Sequence, residues 1–256
     1  MYAIVVYFYR MLTIEICANS FASAIHAQKA GAHRLELCES LETGGLTPSF
    51  GFLSIAREKL QIPLHVLIRP RTGDYTYDAH CVEVMLRDIK LVKELGFEGI
   101  VIGALKADGT LDEAVMDLMI EAAKGLSITF HRAFDVSARP FEVAEKLIDR
   151  GINRILTSGR QATAPEGAAF IAALHQRYGH QITIMAGSGI HSGNILNLIA
   201  QTGISEYHLS ARQQIRGNMA VDINTTLQSE LNWFETNPEE VRKIISLTKD
   251  YSSAGF

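Results

Sequence analysis

Carboxylates and thiols recur at alternating positions in the first two β-rich runs of the chain. Glu15 and Cys17 lie in the run LTIEIC, and Glu36 and Cys38 lie in RLELC. Because alternate side chains of a strand face opposite sides and the apolar ones must pack against helices, we expect these four residues to point inward together. Two adjacent thiolates suit a soft ion such as Cu(I), although a free cysteine is also a common small buried hydrophobe.

Two later runs end in side chains that can bind anions or transfer protons. Arg69 ends LHVLIR, and His131 ends SITFH with Asp135 just beyond it. A buried charge must be paired or used, and a histidine beside a carboxylate can act as a general base. If the chain is an enzyme, we expect Glu15, Glu36 and His131 to be the catalytic proton-transfer groups, with Arg69 in support. The alternative is that the two glutamates and the arginine form a satisfied ion-pair network.

Glycine-rich backbone follows the seventh of the β-rich runs. Gly187 ends ITIMAG, Ser188 and Gly189 follow it in the segment AGSGI, and Ser210 ends the next run, EYHLS. Barrels commonly bind phosphate at these two places through exposed backbone N–H groups, so we expect a phosphate or other anion there, or else a plain tight turn. The loop RPRTGDYTYD carries two arginines beside tyrosines, which is typical either of an anion clamp or of packing within the loop.

Eight β-rich runs alternate with amphipathic helical stretches, without a linker or low-complexity segment between them. Strict alternation predicts parallel strands with helices outside them. The count favours a closed (β/α)8 barrel, the TIM barrel, over an open doubly wound sheet, which stays the alternative; active sites of such barrels lie at the C-terminal ends of the strands. The runs are LTIEIC, RLELC, LHVLIR, GIVIG, SITFH, RILTS, ITIMAG and EYHLS.

Length and composition favour one ordinary globular domain. The 256 residues are 47% hydrophobic and 20% charged, with a formal net charge of -4 and no basic run, so neither nucleic acid nor a membrane is an expected partner. The opening MYAIVVYFYR lacks the features of a signal peptide. We expect residues 1–11 to be an N-terminal extension or a mis-assigned start, and residues 12–256 to be the barrel. The tail from Ala211 is predicted to pack across the barrel or against a neighbour.

The chain has three cysteines, Cys17, Cys38 and Cys81. An odd number in a chain that needs no covalent staple favours free thiols and a reducing compartment. Cys81 precedes the helical stretch VMLRDIKLVKELG and is expected to be a packing residue.

Several motifs, in this order, resemble those of the CutC family, which is named for a proposed role in copper homeostasis. They are EICANS, RLELCESLETGGLTPS, RPRTGDYTY, TFHRAFD, ILTSG and MAGSGI, and the resemblance extends from Leu12 to about Arg212. It implies a (β/α)8 barrel, a cytoplasmic location, a homo-oligomer and copper binding through Cys17 and Cys38.

Three functions follow from these observations. The first is the binding or handling of copper, as Cu(I), by Cys17 and Cys38. The second is an enzyme that acts on a small phosphorylated or carboxylated metabolite, because an interior lined by carboxylates, arginine and histidine exceeds what two thiolates need. The third is a scaffold that binds only a protein partner.

Overall fold

Eight parallel strands close into a ring in the computed structural model, which describes residues 11–218 and 231–253. Each strand pairs with the next one along the chain, and β8 pairs with β1, so the ring has no free edge. The closed ring confirms the (β/α)8 barrel and excludes the doubly wound alternative. The strands are β1 (Thr13–Ala18), β2 (Arg34–Leu37), β3 (Leu64–Leu67), β4 (Gly99–Ile102), β5 (Ser127–Phe130), β6 (Arg154–Thr157), β7 (Thr183–Gly187) and β8 (Glu206–Leu209).

The described residues also form eight α-helices outside the ring. Several begin where a polar side chain caps the first turn: Ser20, Ser49 and Asp78 each accept a hydrogen bond from a backbone N–H of the helix that follows. No helix within these ranges is long and apolar enough to cross a membrane. The helices are α1 (Phe21–Lys29), α2 (Phe50–Lys59), α3 (Ala79–Glu94), α4 (Glu113–Ala122), α5 (Pro140–Asp149), α6 (Ala168–Tyr178), α7 (Ile195–Thr202) and α8 (Pro238–Ser253).

Helix α3 begins earlier than the sequence pattern predicts. Cys81 was expected to precede the helix, but it lies in the first turn, because α3 begins at Ala79. The cause is the cap: the Asp78 carboxylate accepts a hydrogen bond from Cys81 N at 2.8 Å. Cys81 is half-buried and its thiol is free.

Strand alternation divides the buried side chains into two sets. Residues of one parity, such as Ile14 and Ile16 of β1, are fully buried between the ring and the helices and belong to the main core. Residues of the other parity point into the ring, where a second, smaller cluster contains Cys17, Cys38, Leu67 and Val101. The alternation predicted from the sequence therefore places the polar residues of β1 and β2 inside the barrel.

The described part of the tail, residues 211–218 and 231–253, completes the ring of helices with α8. After β8 the chain forms β9 (Arg212–Ile215), which pairs with the antiparallel β10 (Trp233–Thr236), and α8 then packs against α1 and α7. Two hydrogen bonds attach the end of β10 to the barrel. Asn237 N donates to Ala211 O at 2.8 Å, and Thr236 N donates to Ser23 Oγ at 3.0 Å. The predicted N-terminal extension, apart from Met11, lies outside the described residues.

Candidate functional site

A cavity of about 790 Å³ opens at the C-terminal ends of the strands. This volume lies in the range of pockets that hold small organic ligands. Its lining comes from many parts of the chain, including Cys17, Glu36, Arg69, His131, Ser188 and His208. The cavity is therefore at the face of the barrel where the sequence predicts the site.

The thiols of Cys17 and Cys38 lie in contact, and Cys17 lines the cavity. Their Sγ atoms are 3.1 Å apart, and the Cys17 thiol donates a hydrogen bond to Glu36 Oε1 at 3.3 Å. The hydrogen bond with Cys38, burial and the nearby Glu36 carboxylate raise the pKa of the Cys17 thiol well above its usual range. Both sulfurs are thus brought together as the sequence predicts, and Cys17 is a protonated thiol at neutral pH.

Glu36 is a buried carboxyl group with no cationic partner within 4.0 Å in the described part of the chain. Its side chain lines the cavity from β2, and its Oε2 atom has no hydrogen-bond partner among the described residues. Burial, with a contribution from the nearby carboxylate of Glu15, raises the pKa of Glu36 against the opposing effect of His208. Glu36 therefore lines the cavity and has one buried oxygen without a hydrogen-bond partner among the described residues.

Glu15 lies one layer below, in a network of buried charges. Its carboxylate accepts hydrogen bonds from Arg34 Nε and, at 2.7 Å, from His208 Nδ1. Arg34 also donates to Glu206 at 2.5 Å, and Glu206 accepts from Arg154 at 2.8 Å. Burial raises the pKa of Glu15, but the charge of Arg34 and the hydrogen bond from His208 outweigh it and hold this pKa well below its usual range.

This network differs from the ion-pair alternative considered for the sequence. The partner of Glu15 is Arg34, not Arg69, and Glu36 is outside the pairing. The sequence prediction of the interior omits four residues, which are Arg34, His65, Arg154 and Glu206. Arg34 has the same strand parity as Glu36, and His65 the same as Arg69, so strict use of the alternation finds both.

Arg69 is a buried cation whose hydrogen-bond partners among the described residues are all neutral. Nη1 donates to the backbone oxygens of Thr43 and Gly45 at 3.1 and 2.8 Å, and Nη2 donates to Gly73 O at 2.7 Å. The guanidinium also lies 5.2 Å from the centre of the Tyr75 ring. Arg69 thus fixes two mouth loops in place while its charge stays unpaired by any described carboxylate.

The other arginine of this loop, Arg71, is used within the loop itself. It donates to Asp74 Oδ1 at 2.8 Å and stacks on the Tyr77 ring at 5.3 Å. This arrangement matches the packing interpretation of RPRTGDYTYD for Arg71. Burial raises the pKa of Tyr77 to about 12, and the Tyr77 hydroxyl has no hydrogen-bond partner among the described residues.

His131 has one free ring nitrogen at the cavity. Its Nδ1 accepts a hydrogen bond from Ala133 N at 3.2 Å, so the proton of the neutral ring is on Nε2, which has no partner among the described residues. Burial and the charge of Arg69 lower the pKa of His131 to about 3. At neutral pH it is therefore an uncharged N–H donor.

Asp135 does not orient His131, contrary to the expectation from HRAFD. Its Oδ1 and Oδ2 accept from Ser158 N at 3.1 and 3.0 Å, and Oδ2 accepts from Arg132 Nε at 2.9 Å. Asp135 thus positions the loop after β6 and one arginine of the rim. His131 has no carboxylate within 4.0 Å in the described ranges, which weakens its case as a general base.

The turn after β7 has the strained geometry of a tight loop. Ser188 has a φ of 85° and Gly189 one of 69°, and the Ser188 hydroxyl donates to Ala162 O at 2.8 Å. Nearby, the Glu240 carboxylate accepts from Ser192 N at 2.6 Å and from Ser192 Oγ at 3.0 Å. An acidic group from α8 thus lies beside the place where the sequence predicts an anion. Gly187 ends β7, and Ser210 lines the cavity beside β8.

Fold and cavity together define this chain as a (β/α)8 barrel protein with a polar site at the C-terminal mouth. The profile of the CutC family matches residues 12–213. A CutC family protein of Bacteroides fragilis (strain YCH46) is 43% identical over 246 residues, which cover 94% of this chain and 97% of the relative. One from Xanthomonas campestris pv. campestris (strain 8004) is 47% identical over 234 residues, with coverages of 91% and 98%. The chain belongs to the CutC family, as its motifs predicted.

Solved structures agree with this placement. A proposed copper homeostasis protein CutC from Streptococcus agalactiae superposes with a TM-score of 0.75 at 31% identity, covering 78% of this chain and 99% of the other. Phosphoribosyl anthranilate isomerase from Thermotoga maritima has a TM-score of 0.58 at 9% identity, with coverages of 94% and 100%. The second likeness shows the barrel fold alone.

Proposed function

We propose that the protein binds Cu(I) through Cys17 and Cys38 and serves in copper homeostasis. The observation that carries this proposal is the 3.1 Å separation of the two Sγ atoms, of which that of Cys17 belongs to a residue lining the open cavity. Cu(I) is a soft ion that prefers thiolate ligands, so two thiolates can hold it without an oxygen ligand. The name given to the Streptococcus agalactiae relative agrees with this role.

Metal binding requires two changes at the thiol pair. The ion must displace the thiol protons, because the thiolate is the ligand. Metal–thiolate bonds of about 2.3 Å also set the sulfurs up to about 4.6 Å apart, so the pair must open from its contact distance. Glu36 is placed to accept the proton that Cys17 releases, because the Cys17 thiol already donates to its Oε1 atom and one ligand atom from Glu36 and from each cysteine lie within 4.8 Å of one another.

The test is an anaerobic Cu(I) titration of fully reduced protein against a competing chelator. We expect one ion per chain, and an affinity at least about 100-fold lower in Cys17→Ser and Cys38→Ser, since each variant deletes one of two ligands. Cys81→Ser is the matched control, because Cys81 lies in α3 away from the pair. Weak binding in every form, or binding that both substitutions leave unchanged, contradicts the proposal.

A second candidate function is an enzyme for a small phosphorylated or carboxylated metabolite. It is favoured by three buried polar atoms without partners, Glu36 Oε2, Arg69 Nε and His131 Nε2, on residues that line the cavity. Native proteins leave few such atoms unsatisfied, so a ligand is a natural partner for them. In this function Glu15, Glu36 or His131 transfers a proton, supported by Arg69.

In the same function the backbone of Gly187, Ser188 and Gly189, with Ser210, holds the anion. Glu36→Ala is then expected to abolish ligand binding, while serine at the two cysteines leaves it intact. The reverse pattern rejects the enzyme and favours copper.

The protein is further proposed to act in the cytoplasm as a homo-oligomer, with residues 12–256 as one barrel domain. Free cysteines support a reducing compartment, and family membership supports the oligomer. Light scattering on the purified protein tests the oligomer, and a monomer at micromolar concentration contradicts it.

A further inference from the structure

The Arg69 charge is the first observation that points to a ligand site in the cavity. The residue is only 3% exposed, and its three hydrogen bonds go to backbone oxygens. A guanidinium has five N–H donors, so two remain, Nε–H and one on Nη2. A buried cation without an anion is costly unless something pairs with it. Within residues 11–218 and 231–253, no carboxylate does so.

His131 supplies an unused donor beside this charge. The rings of Tyr75 and His131 have centroids 4.9 Å apart, and the same Tyr75 ring packs against the Arg69 guanidinium at 5.2 Å. One aromatic ring thus holds both polar groups at the same wall of the cavity. Because Nδ1 of His131 accepts from Ala133 N, the orphaned Nε2 is a donor.

The floor offers complementary groups for a second part of a ligand. Glu36 Oε2 is buried without a partner, and the Cys17 thiol lies beside the same carboxyl group. His208 also lines the cavity, with its Nδ1 already bound to Glu15. Such groups exchange hydrogen bonds with hydroxyls, which both donate and accept.

We propose that the mouth cavity binds a small organic monoanion, a carboxylate that carries neighbouring hydroxyl groups. Its carboxylate lies beside the Arg69 guanidinium and accepts a hydrogen bond from His131 Nε2, while a hydroxyl contacts Glu36. This proposal rests on the second candidate function and specifies its ligand. It places the anion at the cavity wall formed by β3 and β5 rather than at the turn after β7.

Charge matching favours a monoanion over a phosphate dianion. At the β3–β5 wall Arg69 contributes one buried positive charge without a carboxylate partner in the described ranges, and His131 adds a donor without charge. The acidic Glu36 and Glu240 also line the cavity, and Glu240 is bound to Ser192 near the β7 turn. A doubly charged group there meets a carboxylate from the protein itself, which disfavours its binding.

The experiment measures calorimetric binding of glycolate, D-glycerate and D-gluconate to reduced, metal-free protein. Each acid is compared with its neutral polyol, ethylene glycol, glycerol or D-sorbitol, and with inorganic phosphate. We expect at least one acid to bind with one site per chain, and about tenfold or more tightly than its polyol and than phosphate. Equal binding of acid and polyol, preference for phosphate, or no binding of any acid at 10 mM overturns the proposal.

Two matched variants locate the carboxylate. In His131→Asn the new Oδ1 takes the place of Nδ1 and still accepts from Ala133 N, but the Nε2 donor is lost. His191→Asn is the same change at the other side of the cavity, where His191 Nδ1 accepts from Gly193 N at 3.1 Å. We expect binding of the acid to weaken about tenfold or more only in His131→Asn. Weakening in His191→Asn alone places the anion at the β7 turn and overturns the assignment.

The outcomes separate this inference from both proposed functions. Thermal unfolding first confirms that each variant is folded. If the Cys17→Ser, Cys38→Ser double variant still binds the acid, the organic site stands whatever the copper titration shows. If NMR detects binding but no consumption of the acid, the binding site stands and that acid is a ligand rather than a substrate.

Discussion

The same substitution at two interior glutamates is expected to give different effects on stability. Glu15→Gln removes a charge that accepts hydrogen bonds from Arg34 and His208. Glu36→Gln removes a carboxyl group with no cation within 4.0 Å among the described residues. Both side chains are buried, and the exchange of an oxygen for an amide nitrogen keeps the shape. The comparison therefore isolates the effect of charge pairing.

The magnitude for Glu15 follows from its partners. Loss of one partner from a buried ion pair costs about 3–5 kcal/mol. Because Arg34 keeps Glu206 in the variant, we expect the lower end, about 3 kcal/mol in the free energy of unfolding. For Glu36→Gln we expect a change of no more than about 1 kcal/mol in either direction, because the amide oxygen still accepts from the Cys17 thiol.

Urea unfolding at pH 7.5, followed by circular dichroism, measures both changes. At a cost of about 3 kcal/mol, thermal unfolding of Glu15→Gln should shift downward by about 6–12 °C. If Glu36→Gln destabilises the protein as much as Glu15→Gln does, the assignment of the ion pairing is refuted.

Two further predictions concern buried histidine and glycine. Burial lowers the pKa values of His131 and His65 to about 3 and about 4, so below about pH 6 only the unfolded chain takes up their protons. The free energy of unfolding should therefore fall by up to about 1.4 kcal/mol per pH unit for each histidine as the pH drops. His131→Asn should reduce this slope in urea titrations. Gly99→Ala should cost about 1–3 kcal/mol, because a Cβ there lies 2.5 Å from His65 Cδ2, while Gly51→Ala, with open space, should not destabilise α2 in calorimetry.

The sequence predicts the barrel better than the site. Alternation of Ile and Leu with polar residues in β1 and β2 is a local pattern, and it correctly placed Glu15 and Cys17 inside the ring. Pairing within the ring is not local: the ion-pair partners Arg34 and Glu206 are 172 positions apart. Parity tells which way a side chain points but not which distant side chain it reaches.

The same limit explains the other differences. Glu240 reaches Ser192 only because α8 packs beside α7, and no motif in the tail predicts that contact. Strand β9, with the sequence RQQI, has little apolar alternation, so its pairing with β10 depends on the surroundings rather than on its own pattern. His131 was identified because its strand ends there, but its ring tautomer depends on the turn that follows.

Closure of the ring by β1 and β8 has a consequence for synthesis of the chain. The hydrogen bond between Glu15 and His208 joins residues 193 positions apart, so the ribosome makes one long before the other. At 5–20 residues per second this interval is about 10–40 s, during which the outer edge of β1 has no partner in its own chain. An open strand edge pairs readily with other chains. Nascent chains of this barrel should therefore depend on chaperones that shield this edge until translation reaches β8.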